Sequence, residues 1–109
     1  MRDGVQIDRR DIGDRVVLTV VGQVDVSTAA ELRQALTEAQ FGGATDVVVD
    51  IDGVEFLDSF GLGVFVGAVR RARSQGHGFR VACDRPRLRH LFHVARLDEI
   101  IEIVDSVDD

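Results

Sequence analysis

Apolar and polar positions change period several times along the chain, and each change predicts an element. After Arg15 the run Val16-Val17-Leu18-Thr19-Val20-Val21 is β-branched and apolar and ends on Gly22, as a buried strand does. A shorter strand around Val5-Gln6-Ile7 precedes it. Beyond Asp25 the period becomes helical: Ala29, Leu32, Leu36 and Ala39 recur every three or four residues, and Thr28 and Glu31 have the spacing of a capping box. A first helix to about Ala39 and a turn over Phe41–Thr45 follow from this. The three valines of Asp46-Val47-Val48-Val49-Asp50-Ile51 predict a central parallel strand covered on both faces.

Asp52 to Ser59 reads as a connection. A second helix is expected from Phe60 to about Gln75, broken by Gly76-His77-Gly78. Phe79 to Cys83 is a further strand, Pro86 suits the first turn of a third helix reaching about His93, and Ile100 to Val104 is a last short strand. Residues 105–109 read as a frayed tail. Strands alternating with helices predict an α/β fold: one domain over residues 1–109, with a four- or five-stranded, mostly parallel sheet and helices packed chiefly on one face.

Composition narrows the function. A chain of 109 residues with 45% hydrophobic content suits one domain around one core. It lacks an apolar run of roughly 20 residues, so no membrane insertion is expected, and Met1-Arg2-Asp3-Gly4 lacks the apolar segment of a secretion signal. A cytoplasmic location is the expectation. Cys83 is the only cysteine, which excludes an internal disulfide and a thiolate-rich zinc site. A net charge of −6 argues against direct nucleic acid binding. The charge is segregated: residues 70–96 hold eight arginines and only Asp84, whereas residues 46–69 and 97–109 hold five and six acids without a base. Such blocks serve as solvated faces or as partner-docking surfaces.

The sharpest local feature is Phe56-Leu57-Asp58-Ser59-Phe60-Gly61-Leu62-Gly63-Val64-Phe65-Val66-Gly67, where a connection feeds a helix start. Asp58 and Ser59 are candidates there, and either also suits the ordinary role of an N-cap. A hydrolase elbow would need glycine where Leu57 stands. Gly61, Gly63 and Gly67 are one residue too widely spaced for a dinucleotide fingerprint, and a phosphate loop would need a lysine, which the chain lacks. No catalytic residue or cofactor is expected. His77 lies in a turn, and His90 and His93 offer only two neighbouring ligands, so no metal site is expected either. From Phe60 to Val69 no side chain is charged or hydrogen-bonding. Leu62, Phe65, Val66 and Val69 form an inward stripe, which leaves Phe60, Val64 and Ala68 directed elsewhere, while Gly63 and Gly67 admit another backbone. An apolar patch beginning at Ser59 is a protein-docking surface in this reading. A phosphate on Ser59 would add about −1.5 to −2 charges at its rim and release a partner.

The segment Phe56 to Val64 resembles the Asp-Ser-Ser-Gly-Leu-Gly motif of bacterial anti-sigma-factor antagonists, the STAS-domain family. Gly22-Gln23-Val24-Asp25 followed by Thr28-Ala29 is similar to the family's Gly-x-Leu-Asp…Thr-Ala pattern, and the likeness extends through Val47-Val48-Val49-Asp50 and Leu91-Phe92. The resemblance implies a non-enzymatic switch. Unmodified, the antagonist binds an anti-sigma factor and frees the sigma factor. The anti-sigma factor, commonly also an ATP-dependent serine kinase, phosphorylates the serine after the motif aspartate, here Ser59, and a serine phosphatase resets it. Asp58 and Asp25 carry over as acids at the same surface, giving a partner-binding set of Asp25, Asp58, Ser59, Phe60, Gly61, Gly63, Val64 and Gly67. Phe60 replaces the motif's second serine and enlarges the apolar patch. Two alternatives stand beside this: a STAS subunit docking constitutively in a transport or stress-signalling assembly, and a small-nucleotide-binding domain.

Overall fold

The β-branched run at Val16–Val21 becomes the second of five strands in the computed structural model, which describes residues 4–109. The reading of Met1-Arg2-Asp3 lies outside these residues. Along the chain the elements are β1 (Val5–Ile12), β2 (Arg15–Val24), α1 (Ala29–Phe41), β3 (Asp46–Leu57), α2 (Ser59–Gln75), β4 (Gly78–Ala82), α3 (Pro86–Val94), a 3₁₀ turn (Leu97–Glu99) and β5 (Glu102–Val104). The sheet order is β1-β2-β3-β4-β5, with β1 antiparallel to β2 and every other pair parallel. Three crossovers step in the same direction across the sheet, and the single hand that such connections take carries α1, α2 and α3 to one face. The expected α/β sheet is therefore present, in its five-stranded form.

The core lies between that face and the helices. Val16, Leu18 and Val20 of β2 and Val47, Val49 and Ile51 of β3 pack there with Leu32, Leu36, Phe65 and Phe92, and the rings of Phe65 and Phe92 stand 5.6 Å apart. The buried stripe of α2 is Gly61, Phe65, Ala68, Val69 and Ala72. This corrects the expected stripe: Ala68 is 0% exposed rather than outward-facing, while Leu62 and Val66 are half-buried at its margins. The apolar run from Phe60 to Val69 offers several possible inward faces, and Gly61 decides among them because only hydrogen fits against Val24 and Leu57.

Two strands outrun their expected lengths. β1 has eight residues because Asp8-Arg9-Arg10-Asp11 continues the pairing from Val5↔Gly22 to Ile12↔Arg15. Charges are tolerated on an edge strand and discourage edge-to-edge pairing with other chains. The two-residue turn Gly13-Asp14 closes the hairpin, with Gly13 at φ +61°. β3 runs through the segment read as a connection, since β2 accompanies it to Val24↔Leu57 across two register shifts. β4 stops at Ala82, opposite Asp50, leaving later β3 carbonyls without a strand neighbour. Arg85 takes that place: its Nη1 donates to the carbonyls of Asp52 and Val54, both at 2.9 Å. The Asp84 amide also donates to Asp52 Oδ1 at 2.8 Å.

The tail also differs from the frayed form expected. Arg15 Nη1 donates to the carbonyl of Val107 at 3.0 Å and Arg80 Nη1 to that of Asp109 at 2.6 Å. Both guanidiniums share Asp46 Oδ2, at 3.0 and 2.7 Å. Residues 107–109 thus turn back along the helix-free face, where Val17, Val48 and Ala82 are buried outside the main core. The charge blocks meet in the same way. Arg80 pairs with Asp46 and Arg89 with Asp105, and Arg73 donates to the carbonyl of Ile100. Much of the basic segment is therefore bound within the chain. β5 begins at Glu102 rather than Ile100, and Ile101, 1% exposed, anchors the chain just before it.

Candidate functional site

β2 and β3 end side by side, and the loops that follow them form one surface. The Asp58 amide donates to the Val24 carbonyl at 3.2 Å, joining the two loops directly. Gly61 seals the junction from below, since a β-carbon there would lie 2.7 Å from Val24 Cγ1. It is buried, and it packs beneath the two loops.

Asp58 is the N-cap of α2. Its extended backbone turns the chain, and Oδ1 accepts from the amides of Phe60 and Gly61 at 2.9 and 3.1 Å. The capping role thus belongs to Asp58, and Ser59 becomes the first helical residue. Ser59 is exposed, and its hydroxyl makes no hydrogen bond among the described residues. It is available to an incoming group.

The neighbouring loop is built around Asp25. Its Oδ1 accepts from the Ser27 amide at 2.9 Å and the Ser27 hydroxyl at 2.7 Å. The Ser27 hydroxyl bond, foremost among several, holds the Asp25 carboxyl below its ordinary range. Thr28 does not form the capping box read from the sequence. Its hydroxyl instead donates to the Gln23 carbonyl at 2.7 Å and accepts from the Asp25 amide at 3.0 Å. Folding the loop back occupies that oxygen before it can reach the helix amides.

Around these acids the surface is apolar. Phe60 is 58% exposed, and it lines an open groove with Gly63 and Val64 of α2 and Ala29, Ala30 and Arg33 of α1. Gly63 has open space where a side chain would stand, whereas Gly67 lies under Arg71 Nη1, 3.3 Å from where its β-carbon would be. Val26 and Phe56 are also exposed, at 66% and 44%, and neither belongs to the partner-binding set read from the sequence. Phe56 sits after a register shift in β3, so period-two alternation did not mark it. Val26 adjoins the motif acid Asp25, the one signal that pointed to it. Elsewhere, the Cys83 thiol is buried, which raises its pKa. His93 Nδ1 lies 2.9 Å from Asp98 Oδ2, and no group of metal ligands stands out among the described residues. Among the described residues no helix is long and apolar enough to cross a membrane.

Known proteins match this architecture along the whole chain. The anti-sigma-B factor antagonist of Listeria monocytogenes is 34% identical over 103 residues, covering 94% of this chain and 90% of that protein. The anti-sigma-B factor antagonist of Bacillus subtilis is 31% identical, covering 91% and 90%. The crystal structure of an anti-sigma factor antagonist from Mycobacterium paratuberculosis superposes with a TM-score of 0.92 at 28% identity, covering 100% of this chain and 92% of that one. The sequence profile of the STAS domain matches residues 6–109, and the chain belongs to the STAS-domain family.

Proposed function

We propose that this chain is an anti-sigma factor antagonist, a regulatory binding protein that engages an anti-sigma factor through the surface around Ser59 and is switched off by phosphorylation there. The observation that carries the switch is the Ser59 hydroxyl: it is exposed and unengaged among the described residues, beside an N-cap carboxylate and a half-exposed phenylalanine. The names of the relatives support the antagonist role. The kinase is the anti-sigma factor itself. It transfers the γ-phosphoryl group of ATP to Ser59 Oγ, the hydroxyl proton leaves, and ADP is released. A serine phosphatase restores the hydroxyl by hydrolysis.

The physical basis of release is desolvation. Phosphate adds about −1.5 to −2 charges, next to Asp58 and at the border of the Phe60 and Val64 surface. A partner covering that surface would have to strip water from the dianion and accept it beside a carboxylate. Asp58 Oδ1 already accepts the first free amides of α2, so the helix start offers the phosphate little compensation. Phe60, where relatives of the motif carry serine, extends the apolar contact.

The test is capture of the anti-sigma factor by unmodified chain and by Ser59→Asp, with ATP labelling of the recovered complex. Label on Ser59 and loss of capture by Ser59→Asp are expected. An equal complex with no labelled serine would overturn the switch in favour of constitutive docking.

A further inference from the structure

The groove between α1 and α2 ends on an unneutralised positive charge. Arg33 lines it with Ala29, Ala30, Phe60, Gly63 and Val64, is exposed, and has no ion pair or hydrogen bond among the described residues. A second guanidinium stands behind it. Arg71 reaches back one turn over Gly67, where Nε donates to Gln40 Oε1 at 2.8 Å and Nη2 is enclosed without a partner. Burial first, and then the charge of Arg33, hold Arg71 below its ordinary pKa, which places the two cations in one field. Most other arginines of the basic segment meet a carboxylate or a carbonyl of this chain, as Arg80, Arg85 and Arg89 do.

We propose that Arg33 is the recognition cation of the α1–α2 groove and that the protein segment docking there carries a carboxylate beyond an apolar side chain. The apolar side chain lies on Phe60 and Val64 over the open space at Gly63, and the carboxylate takes the planar donor face of Arg33. Gln40 and Gly67 hold Arg71 in place behind it, so the positive potential exists before the partner arrives. A nucleic acid backbone would need a run of such cations on a chain that carries −6. A protein side chain needs one. This inference rests on the proposed antagonist role and supplies the chemistry of its partner.

The probe is the anti-sigma factor captured by unmodified chain from its source organism, expressed and purified, with affinity measured by calorimetry at two salt concentrations. Arg33→Glu should weaken binding by about tenfold or more and flatten its salt dependence, whereas Arg33→Lys, which keeps the charge but loses the planar fork, should weaken it less and keep the salt dependence. Arg10→Glu makes the same charge change on β1, facing away from the helices, and should leave affinity unchanged. Equal affinities for Arg33→Glu and Arg10→Glu would overturn the proposal even if Ser59→Asp abolishes binding. Sensitivity to Arg33 with indifference to Ser59→Asp would sustain the groove and sink the phosphorylation switch. A dimer of the chain alone that Arg33→Glu dissociates would assign the groove to a second copy, overturning the proposal, and failure of unmodified chain to capture any protein would remove both readings.

Discussion

The two halves of the β2–β3 pair obey different rules. In the first half, Val16 to Thr19 pairs with Val47 to Asp50 in unbroken register, β4 adds a third rung, and the valines are buried on both faces. In the second half, β4 has ended, the register shifts twice, Gly22 takes φ +111° with the Gly4 carbonyl occupying the place of a side chain, and Arg85 stands in for the missing strand. The first half is built for stability. The second gives up regularity on the way to the loop that presents Ser59 and Phe60, and the difference teaches that the site depends on backbone held by side chains as well as by strands.

Substitutions can separate the halves, beginning with the largest expected effect. Leu18→Ala, in the regular half, removes a residue that is 1% exposed and should cost about 2–5 kcal/mol in urea unfolding while leaving partner affinity per folded molecule unchanged. Loss of affinity in the folded fraction would erase the division. Arg85→Met strips the donors from two β3 carbonyls and should cost about 1–3 kcal/mol. Amide exchange should accelerate over 52–57 and stay protected over 47–49. Uniform acceleration would mean that the halves open together.

Asp58→Ala removes the cap of α2 and should cost about 1 kcal/mol, read by thermal unfolding, with frayed amides at Phe60 and Gly61. Phe60→Ser changes a surface residue and should shift stability by less than about 0.5 kcal/mol. Its effect belongs in calorimetric partner binding, which should weaken. The smallest effect is electrostatic. The Asp25 carboxyl is held low mainly by the Ser27 hydroxyl, so its stabilising contribution is present above the unfolded pKa and disappears as pH falls through the folded one. Ser27→Ala should move the Asp25 titration upward in a carboxyl-carbon NMR experiment, and an unmoved midpoint would show that the backbone amides suffice.

Legibility in the sequence followed the same division. The valine runs of β2 and β3, the helical spacing of Leu32 and Leu36, and Pro86 at the head of α3 announced their elements because each is a local preference reinforced by burial. The second half of β3 read as a loop because Asp52, Gly53 and Glu55 carry loop chemistry. It is a strand only because β2 and Arg85 supply hydrogen bonds from more than 30 residues away. Thr28 misled for the converse reason, its correct capping spacing losing to the carbonyl of Gln23. The motif at Asp58-Ser59 was visible as a pattern, yet which residue caps and which is free required the backbone.

By itself the sequence determined the element order, the α/β class and the family, since these follow from periodicity and from side chains adjacent along the chain. Tertiary structure alone decided which face of α2 is buried, how the charge blocks meet, that the last residues fold back onto Arg15 and Arg80, and that Phe60, Gly63 and Val64 share a groove with Arg33. Those outcomes arise from hydrogen bonds and contacts between segments far apart in sequence, where local preference is weak and the nearest unsatisfied donor or acceptor prevails.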